Sequence, residues 1–319
     1  MAFKIGEYRN DSHNDWCVGC GDFGILSSIH KALVVLQIPR HRVIVFSGVG
    51  CSSKTPHFIQ TYGVHTLHGR SVPFASGAKI ANPDLEVLAV GGDGDGYGIG
   101  VGHLVNAGRR NLSITYIVFN NGVYGPTKGQ ASPTLARGTQ TKSLPQANIN
   151  DAINPLALAL TAGFTWIGRG YSFDVKGLTD LIVAAIRHKG TSLLDVIQPC
   201  PTYNDIHTKE FWGEKVETES GPLPRILRLD EESYDGKVAD PADPEEVARK
   251  QVQAFERCNR IEARMPVGVF YEIALPTFME RLAERIPSLK FSTPAQAPVA
   301  DGQGRPTTSI ETILAGFRV

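Results

Sequence analysis

Val87-Leu88-Ala89-Val90-Gly91-Gly92-Asp93-Gly94 and Ile114-Thr115-Tyr116-Ile117-Val118-Phe119-Asn120-Asn121 are the two stretches whose reading decides the fold. Each opens as a short apolar run, the first closed by Gly92-Asp93-Gly94 and the second by Asn120-Asn121. Residues 95–119 between the two stops leave room for one crossover helix and the returning strand. That layout predicts neighbouring parallel strands with the Asp93 carboxylate and the Asn121 carboxamide side by side at their carboxyl ends, where open α/β sheets place ligands. Oxygen ligands of this kind suit Mg²⁺, which takes one or two carboxylates and completes its octahedron with phosphate oxygens and water.

Outward from this pair, strand-like and helix-like runs alternate. Residues 23–36 have helical periodicity, 42–46 read as a strand, 73–81 as a helix and 86–90 as a strand. A glycine-rich helix is predicted over 98–107 and a β-branched and aromatic strand over 114–119. Pro155–Ala162 and Val175–Arg187 read as helices and 193–197 as a further strand. Such alternation predicts an α/β fold, a doubly wound, mostly parallel sheet with helices on both faces. Residues 124–151 form a long polar loop directly after Asn121, a length and position that favour function. Beyond 210 the composition turns charged and turn-rich, so 1–210 is expected to be the catalytic domain. Residues 211–319 are then a partly helical C-terminal extension packing on the core or on a partner. Asp243-Pro244-Glu245-Glu246 starts a helix running to about Ala263. A second helix covers 277–286, and the tail from Ser292 is rich in Pro, Ala and Gly.

Thirty-two basic residues balance thirty-two acidic ones among 319, so no global field recruits nucleic acid or an anionic membrane. Residues 1–15 are polar and lack the apolar centre of a signal peptide, and no apolar run approaches the ~20 residues of a membrane span. Five cysteines, an odd number, do not form a disulfide framework. A cytoplasmic enzyme is the expectation.

The cysteines need another explanation. Trp16-Cys17-Val18-Gly19-Cys20-Gly21 places a Cys-x-x-Cys pair before a helix, while Cys51 and Cys200 each follow a predicted strand. A redox dithiol needs only the pair, so four thiolates narrow the choice to structural zinc or an iron–sulfur cluster. Cys51, Asp93, Asn121 and Cys200 all fall just past strand ends, which puts thiolates and metal-type oxygens on one sheet edge. Zinc there is redox-inert whereas a cluster accepts electrons, and the pattern favours the cluster. Cys258 lies near the predicted stripe of Val252 and Phe255 and reads as a small buried hydrophobe. Two look-alikes fail. Ser53 stands where a phosphate loop needs glycine before Lys54, and the glycines of 91–102 do not fall into Gly-x-Gly-x-x-Gly.

Six motifs in order then become recognisable: Trp16-Cys17-x-Gly19-Cys20-Gly21, Gly50-Cys51-Ser52-Ser53, Thr66-x-His68-Gly69-Arg70, Gly92-Asp93-Gly94-Asp95, Asn120-Asn121-Gly122-Val123-Tyr124-Gly125 and Thr127-x-Gly129-Gln130-x-Ser132-Pro133-Thr134. Together they resemble the β subunit of 2-oxoacid:ferredoxin oxidoreductases over roughly 10–205, and the resemblance resumes over 266–281. Val18 stands where that family usually has proline; both favour extended backbone. The resemblance implies a thiamine diphosphate fold in which Asp93, Asn121 and the Val123 carbonyl ligate Mg²⁺. It implies that Val49, Gly50, Cys51, Ser52, His68, Gly92, Asp93, Gly94, Asp95, Gly125 and Pro126 contact the cofactor. Cys17, Cys20, Cys51 and Cys200 would hold a [4Fe-4S] cluster, and a partner α subunit would bring the pyrimidine half-site and the activating carboxylate. The implied reaction is CoA-dependent oxidative decarboxylation of a 2-oxoacid to acyl-CoA and CO₂, with electrons passing to ferredoxin. His68 and Lys54 are the catalytic candidates. A cation at Lys54 suits a distal substrate carboxylate, favouring 2-oxoglutarate or a broad range over strict pyruvate use. The rival readings are a non-oxidative thiamine diphosphate lyase or synthase, which leaves the cysteines idle, and a zinc-stabilised scaffold, which leaves the Mg²⁺-type pair idle.

Overall fold

Residues 2–219, 221–259, 264–307 and 309–317 are described by the computed structural model. The first four strands are β1 (Val43–Ser47), β2 (Tyr62–His65), β3 (Glu86–Gly92) and β4 (Thr115–Asn120). Two-residue strands β5 (Val123–Tyr124) and β6 (Gln130–Ala131) pair to pin the start of the long loop after β4. There follow β7 (Trp166–Tyr171), β8 (Ser192–Ile197), a separate hairpin of β9 (Lys215–Thr218) and β10 (Gly221–Pro224), and finally β11 (Ile226–Arg228) and β12 (Met265–Glu272). One eight-stranded sheet runs β11-β12-β7-β8-β4-β3-β1-β2. Its neighbours are parallel except at β12 and β7, which pair antiparallel with a register shift between Val269 and Tyr271.

Alternate residues of the central strands point to opposite faces, and both faces are covered. On one side Leu88, Val90, Ile117 and Leu194 meet Ile25, Ile29 and Leu33 of α1 (Asp22–Leu36) in one apolar cluster. On the other, Ala89, Tyr116 and Val118 meet Val72 and Ala75 of α2 (Ser71–Ala81) and Leu104 of α3 (Val101–Arg110). Leu156 of α4 (Pro155–Ala162) joins that second cluster, while Ile182 of α5 (Val175–Arg187) joins the first. Asn154 caps α4 by accepting from Ala157 N, with Pro155 in the first turn, and Asp174 caps α5 by accepting from Gly177 N. Short α6 (Lys209–Gly213), then α7 (Pro244–Asn259), α8 (Phe278–Arg285) and α9 (Ile310–Ala315) complete the described helices.

Several sequence expectations are corrected. Residues 98–107 do not form one helix: Gly94–Ile99 makes a wide turn, Gly98 takes non-helical angles, and α3 begins only at Val101. Val252 and Phe255 of α7 face outward, and the buried stripe is Lys250, Ala254 and Cys258. The expected end of that helix near Ala263 lies outside the described residues. The segment beyond 210, expected to pack on the core or a partner, contributes β11 and β12 to the sheet itself. No helix among the described residues is long and apolar enough to cross a membrane.

Glu86 opens β3 half-buried, and burial pushes its carboxyl from 4.5 up to about 7 against the opposing pull of Lys79 and Arg42. Between those values the folded chain binds more protons than the unfolded one, so this group lowers stability as pH rises through 4.5 to 7. Glu86→Gln should therefore flatten the fall, gaining at most about 3 kcal/mol at neutral pH and nothing at acid pH. Denaturant unfolding of both proteins across that range checks it; parallel pH profiles would refute it.

Candidate active site

β8, β4, β3 and β1 are successive parallel neighbours, so their carboxyl ends share one edge. Cys200, Asn121, Asp93 and Cys51 follow these four strands. A cavity of about 210 Å³ opens on that edge. Val49, Gly50, Cys51, Ser52, His68, Gly92, Asp93, Gly94, Asp95, Asn121, Val123, Gly125 and Pro126 all line it. Lys54 does not; its ammonium forms an ion pair with Asp15.

Asp93 is buried and held by four donors. Its Oδ1 accepts from Gly94 N at 3.0 Å, and Oδ2 accepts from Gly122 N at 2.9 Å, Thr134 Oγ1 at 2.6 Å and the Ser132 hydroxyl. Burial raises its pKa, and the Ser132 and Thr134 hydroxyls and the two backbone donors oppose that rise. Asn121 accepts from Val123 N at 3.0 Å and donates from Nδ2 to Gln198 Oε1 at 2.8 Å. Gly122 between them sits at φ +78°, a conformation that favours glycine. Asp95 ties three segments together: Oδ1 accepts from Val49 N at 2.9 Å and Gly69 N at 2.7 Å and meets His68 Nδ1 at 2.9 Å. A Cβ on Gly94 would lie 2.1 Å from the Tyr124 ring, so glycine there is a packing requirement.

The cysteine segments are bound to one another. Gly19, at φ +82°, turns the chain so that Cys20 N donates to Cys17 O at 3.0 Å. Gly21 N donates to Pro199 O at 3.2 Å, and Trp16 Nε1 donates to Cys51 O at 2.8 Å. Trp16 itself packs edge-on against Phe23 and Phe58. Cys20 and Cys200 are buried, Cys51 is half-buried and Cys17 is exposed. Burial pushes the Cys51 thiol up to about 12, with Asp22, Cys200 and Cys17 adding to the rise. Cys20 and Cys200 are raised as well, chiefly by burial. Cys258 is 1% exposed in the core, with its thiol pushed up to about 12 by burial.

These residues fit the groups the motifs imply. Ser52 Oγ is a buried hydroxyl on the cavity wall with no partner, suited to a phosphate oxygen. Asp93 and Asn121 offer the hard oxygens that Mg²⁺ takes. Among the described residues no three Cys, His, Asp or Glu side chains form a ready-made metal site. Yet the four thiols come from three segments tied by direct hydrogen bonds, and their number and softness suit an iron–sulfur cluster. Sequence reasoning missed Asp22 and Gln198, which line the cavity, and gave Ser132 and Thr134 no role. Ser132 and Thr134 lie inside the last of the six motifs, and Gln198 two positions before Cys200.

Residues 39–196 match the family model for the thiamine pyrophosphate enzyme C-terminal TPP binding domain. Residues 200–285 match the model for the C-terminal part of the pyruvate ferredoxin oxidoreductase β chain. The chain is 52% identical over 310 residues to the 2-oxoacid:ferredoxin oxidoreductase subunit β of Saccharolobus solfataricus, spanning 96% of this chain and 97% of that one. This chain belongs to the β subunits of the 2-oxoacid:ferredoxin oxidoreductases. A second β subunit of this family, from Aeropyrum pernix, is 49% identical over 305 residues, covering 95% of this chain and 92% of its own. The fold of the β subunit is that of the Magnetococcus marinus 2-oxoglutarate:ferredoxin oxidoreductase, a structure with 2-oxoglutarate, coenzyme A and succinyl-CoA bound. The match has a TM-score of 0.81 and 31% identity, over 99% of this chain and 97% of the other. Thiamine diphosphate is accordingly the cofactor of the β subunit's domain, and the lyase and zinc-scaffold readings fall away.

Proposed function

We propose that this β subunit bears the diphosphate half of a thiamine diphosphate site and a [4Fe-4S] cluster, for CoA-dependent oxidation of 2-oxoacids to acyl-CoA and CO₂. The observation that carries this reading is the single sheet edge on which Asp93 and Asn121 stand between Cys51 and Cys200. When bound, thiamine diphosphate supplies the electron sink for decarboxylation and the cluster the one-electron outlet to ferredoxin. The protein's part is orientation. Asp93, Asn121 and the Val123 carbonyl hold Mg²⁺ against the diphosphate, and Ser52 Oγ donates to it. Asp95 Oδ1 accepts from His68 Nδ1–H, which fixes the ring and turns the Nε2 lone pair toward the cavity as an acceptor. Cys17, Cys20, Cys51 and Cys200 hold the cluster. The α subunit seals the cavity with the pyrimidine half-site and the activating carboxylate, and ferredoxin in the cytoplasm takes the electrons.

Acids with a second carboxylate, 2-oxoglutarate first, are the favoured substrates within a broad range, and Lys54, which pairs with Asp15 outside the cavity, would exchange that partner for the substrate carboxylate. The test is turnover of 2-oxoglutarate and pyruvate by the αβ complex with CoA and ferredoxin. One lost charge-assisted contact should make Lys54→Ala lower kcat/KM for 2-oxoglutarate about tenfold, with pyruvate changed by less than about twofold. An unchanged preference would remove Lys54 from the substrate site. Absence of CoA-dependent ferredoxin reduction with either acid would overturn the function.

A further inference from the structure

Gln198 is 1% exposed and stands at the end of β8, two residues before Cys200. Its Nε2 donates to Pro199 O at 2.8 Å and to Cys20 Sγ at 3.1 Å, while Oε1 accepts from Asn121 Nδ2 at 2.8 Å. A backbone carbonyl accepts and never donates, so Pro199 O forces the nitrogen of the carboxamide to that side. Oε1 must then face Asn121, which has to answer with its own N–H. The Asn121 oxygen is thereby left toward Val123 N, with a lone pair to spare. The Pro199 carbonyl thus orients Gln198, and Gln198 and Val123 N together orient Asn121.

We propose that Gln198 is a positioning residue that couples the two cofactor sites: it orients the Asn121 oxygen for Mg²⁺ and donates an N–H···S bond to the cluster ligand Cys20. The proposal rests on the metal and cluster ligands assigned above. Reduction adds negative charge to a cluster and its sulfurs, and a hydrogen bond to a ligand sulfur stabilises that reduced form. Losing the Cys20 bond therefore makes the cluster harder to reduce. Losing the Asn121 bond leaves that carboxamide held by Val123 N alone, which weakens the metal–diphosphate grip.

Two variants separate the bonds. Gln198→Glu keeps an acceptor for Asn121 but loses both N–H donors and adds charge near Cys20. Gln198→Met has similar bulk and keeps neither bond. In the anaerobic αβ complex, an EPR-monitored redox titration should show both variants harder to reduce. The equilibrium constant should fall about tenfold, ~59 mV for one electron. The Kd for Mg²⁺-thiamine diphosphate, read by fluorescence quenching of the cofactor-free complex, should rise threefold or more in Gln198→Met and stay within twofold in Gln198→Glu. An unmoved potential in both variants, or a wild-type Kd in Gln198→Met, overturns the proposal. Should Gln198→Met not assemble, Gln198→Glu decides alone through the split between potential and Kd. A wild-type complex without a cluster signal would instead defeat the ligand assignment beneath it.

Discussion

Asp93→Asn should abolish Mg²⁺-dependent binding of thiamine diphosphate while leaving the chain folded. The carboxylate accepts from two backbone N–H groups and two hydroxyls, on both of its oxygens. Asparagine keeps the shape and one acceptor, and the Ser132 and Thr134 hydroxyls can turn to accept from its N–H. Whichever way the amide turns, it opposes one backbone donor, Gly94 N or Gly122 N, at a cost of about 1–3 kcal/mol. That loss is affordable for a domain; the lost charge at the metal is not. Turnover should drop by more than about 100-fold, beyond the roughly tenfold to hundredfold of residues that merely support a metal ligand. Calorimetric titration with Mg²⁺ and thiamine diphosphate beside a thermal melt checks both halves. Binding within about threefold of wild type would take Asp93 off the metal. Asp93→Ala is less informative, because it strands all four donors in the interior.

Cys20→Ser should bleach the protein. Cys20 sits in the turn closed by Gly19, beside the bond from Gly21 N to Pro199 O, so it is the thiol that joins the N-terminal loop to the Cys200 loop. Serine offers a hard oxygen in place of a soft thiolate, which an iron–sulfur centre takes poorly. Iron content and visible absorbance of the anaerobic complex should collapse, with ferredoxin reduction down more than about 100-fold. Cys258→Ala, emptying only a small packed volume, should keep colour and activity at a cost of about 1 kcal/mol. Zinc in place of iron in the wild type would return the scaffold reading; retained iron in Cys20→Ser would clear that residue.

The legible parts of the fold are those whose physics is local. β3, β4 and β8 are buried along nearly their whole length, so β3 and β4 read as unbroken apolar runs and β8 as one broken only by Asp195. β7 does not, because Gly168, Arg169 and Gly170 interrupt it. Arg169 can be buried only because Asp195 of β8 takes its Nε at 2.9 Å. β12 is masked by Pro266 and Gly268. In the site, glycines and the Asp93–Asn121 pair were visible because close backbone approach and metal chemistry restrict the residue type. Gln198 was not, since its bond to Cys20 joins residues 178 apart in the chain. Lys54 shows the converse: its position suggested a free cation at the cavity, but Asp15, 39 residues earlier, holds it.

The antiparallel seam between β12 and β7 has a consequence for how the protein is made. Every strand that carries the cofactor edge is complete once residue 200 has left the ribosome, yet β7 then ends the sheet with one side unpaired. It stays so until Met265–Glu272 emerges, and an unpaired strand edge is an invitation to pair with another nascent chain. The residues proposed to hold the metal and the cluster are thus in place before the fold is sealed, and the period of greatest aggregation hazard falls between the two events.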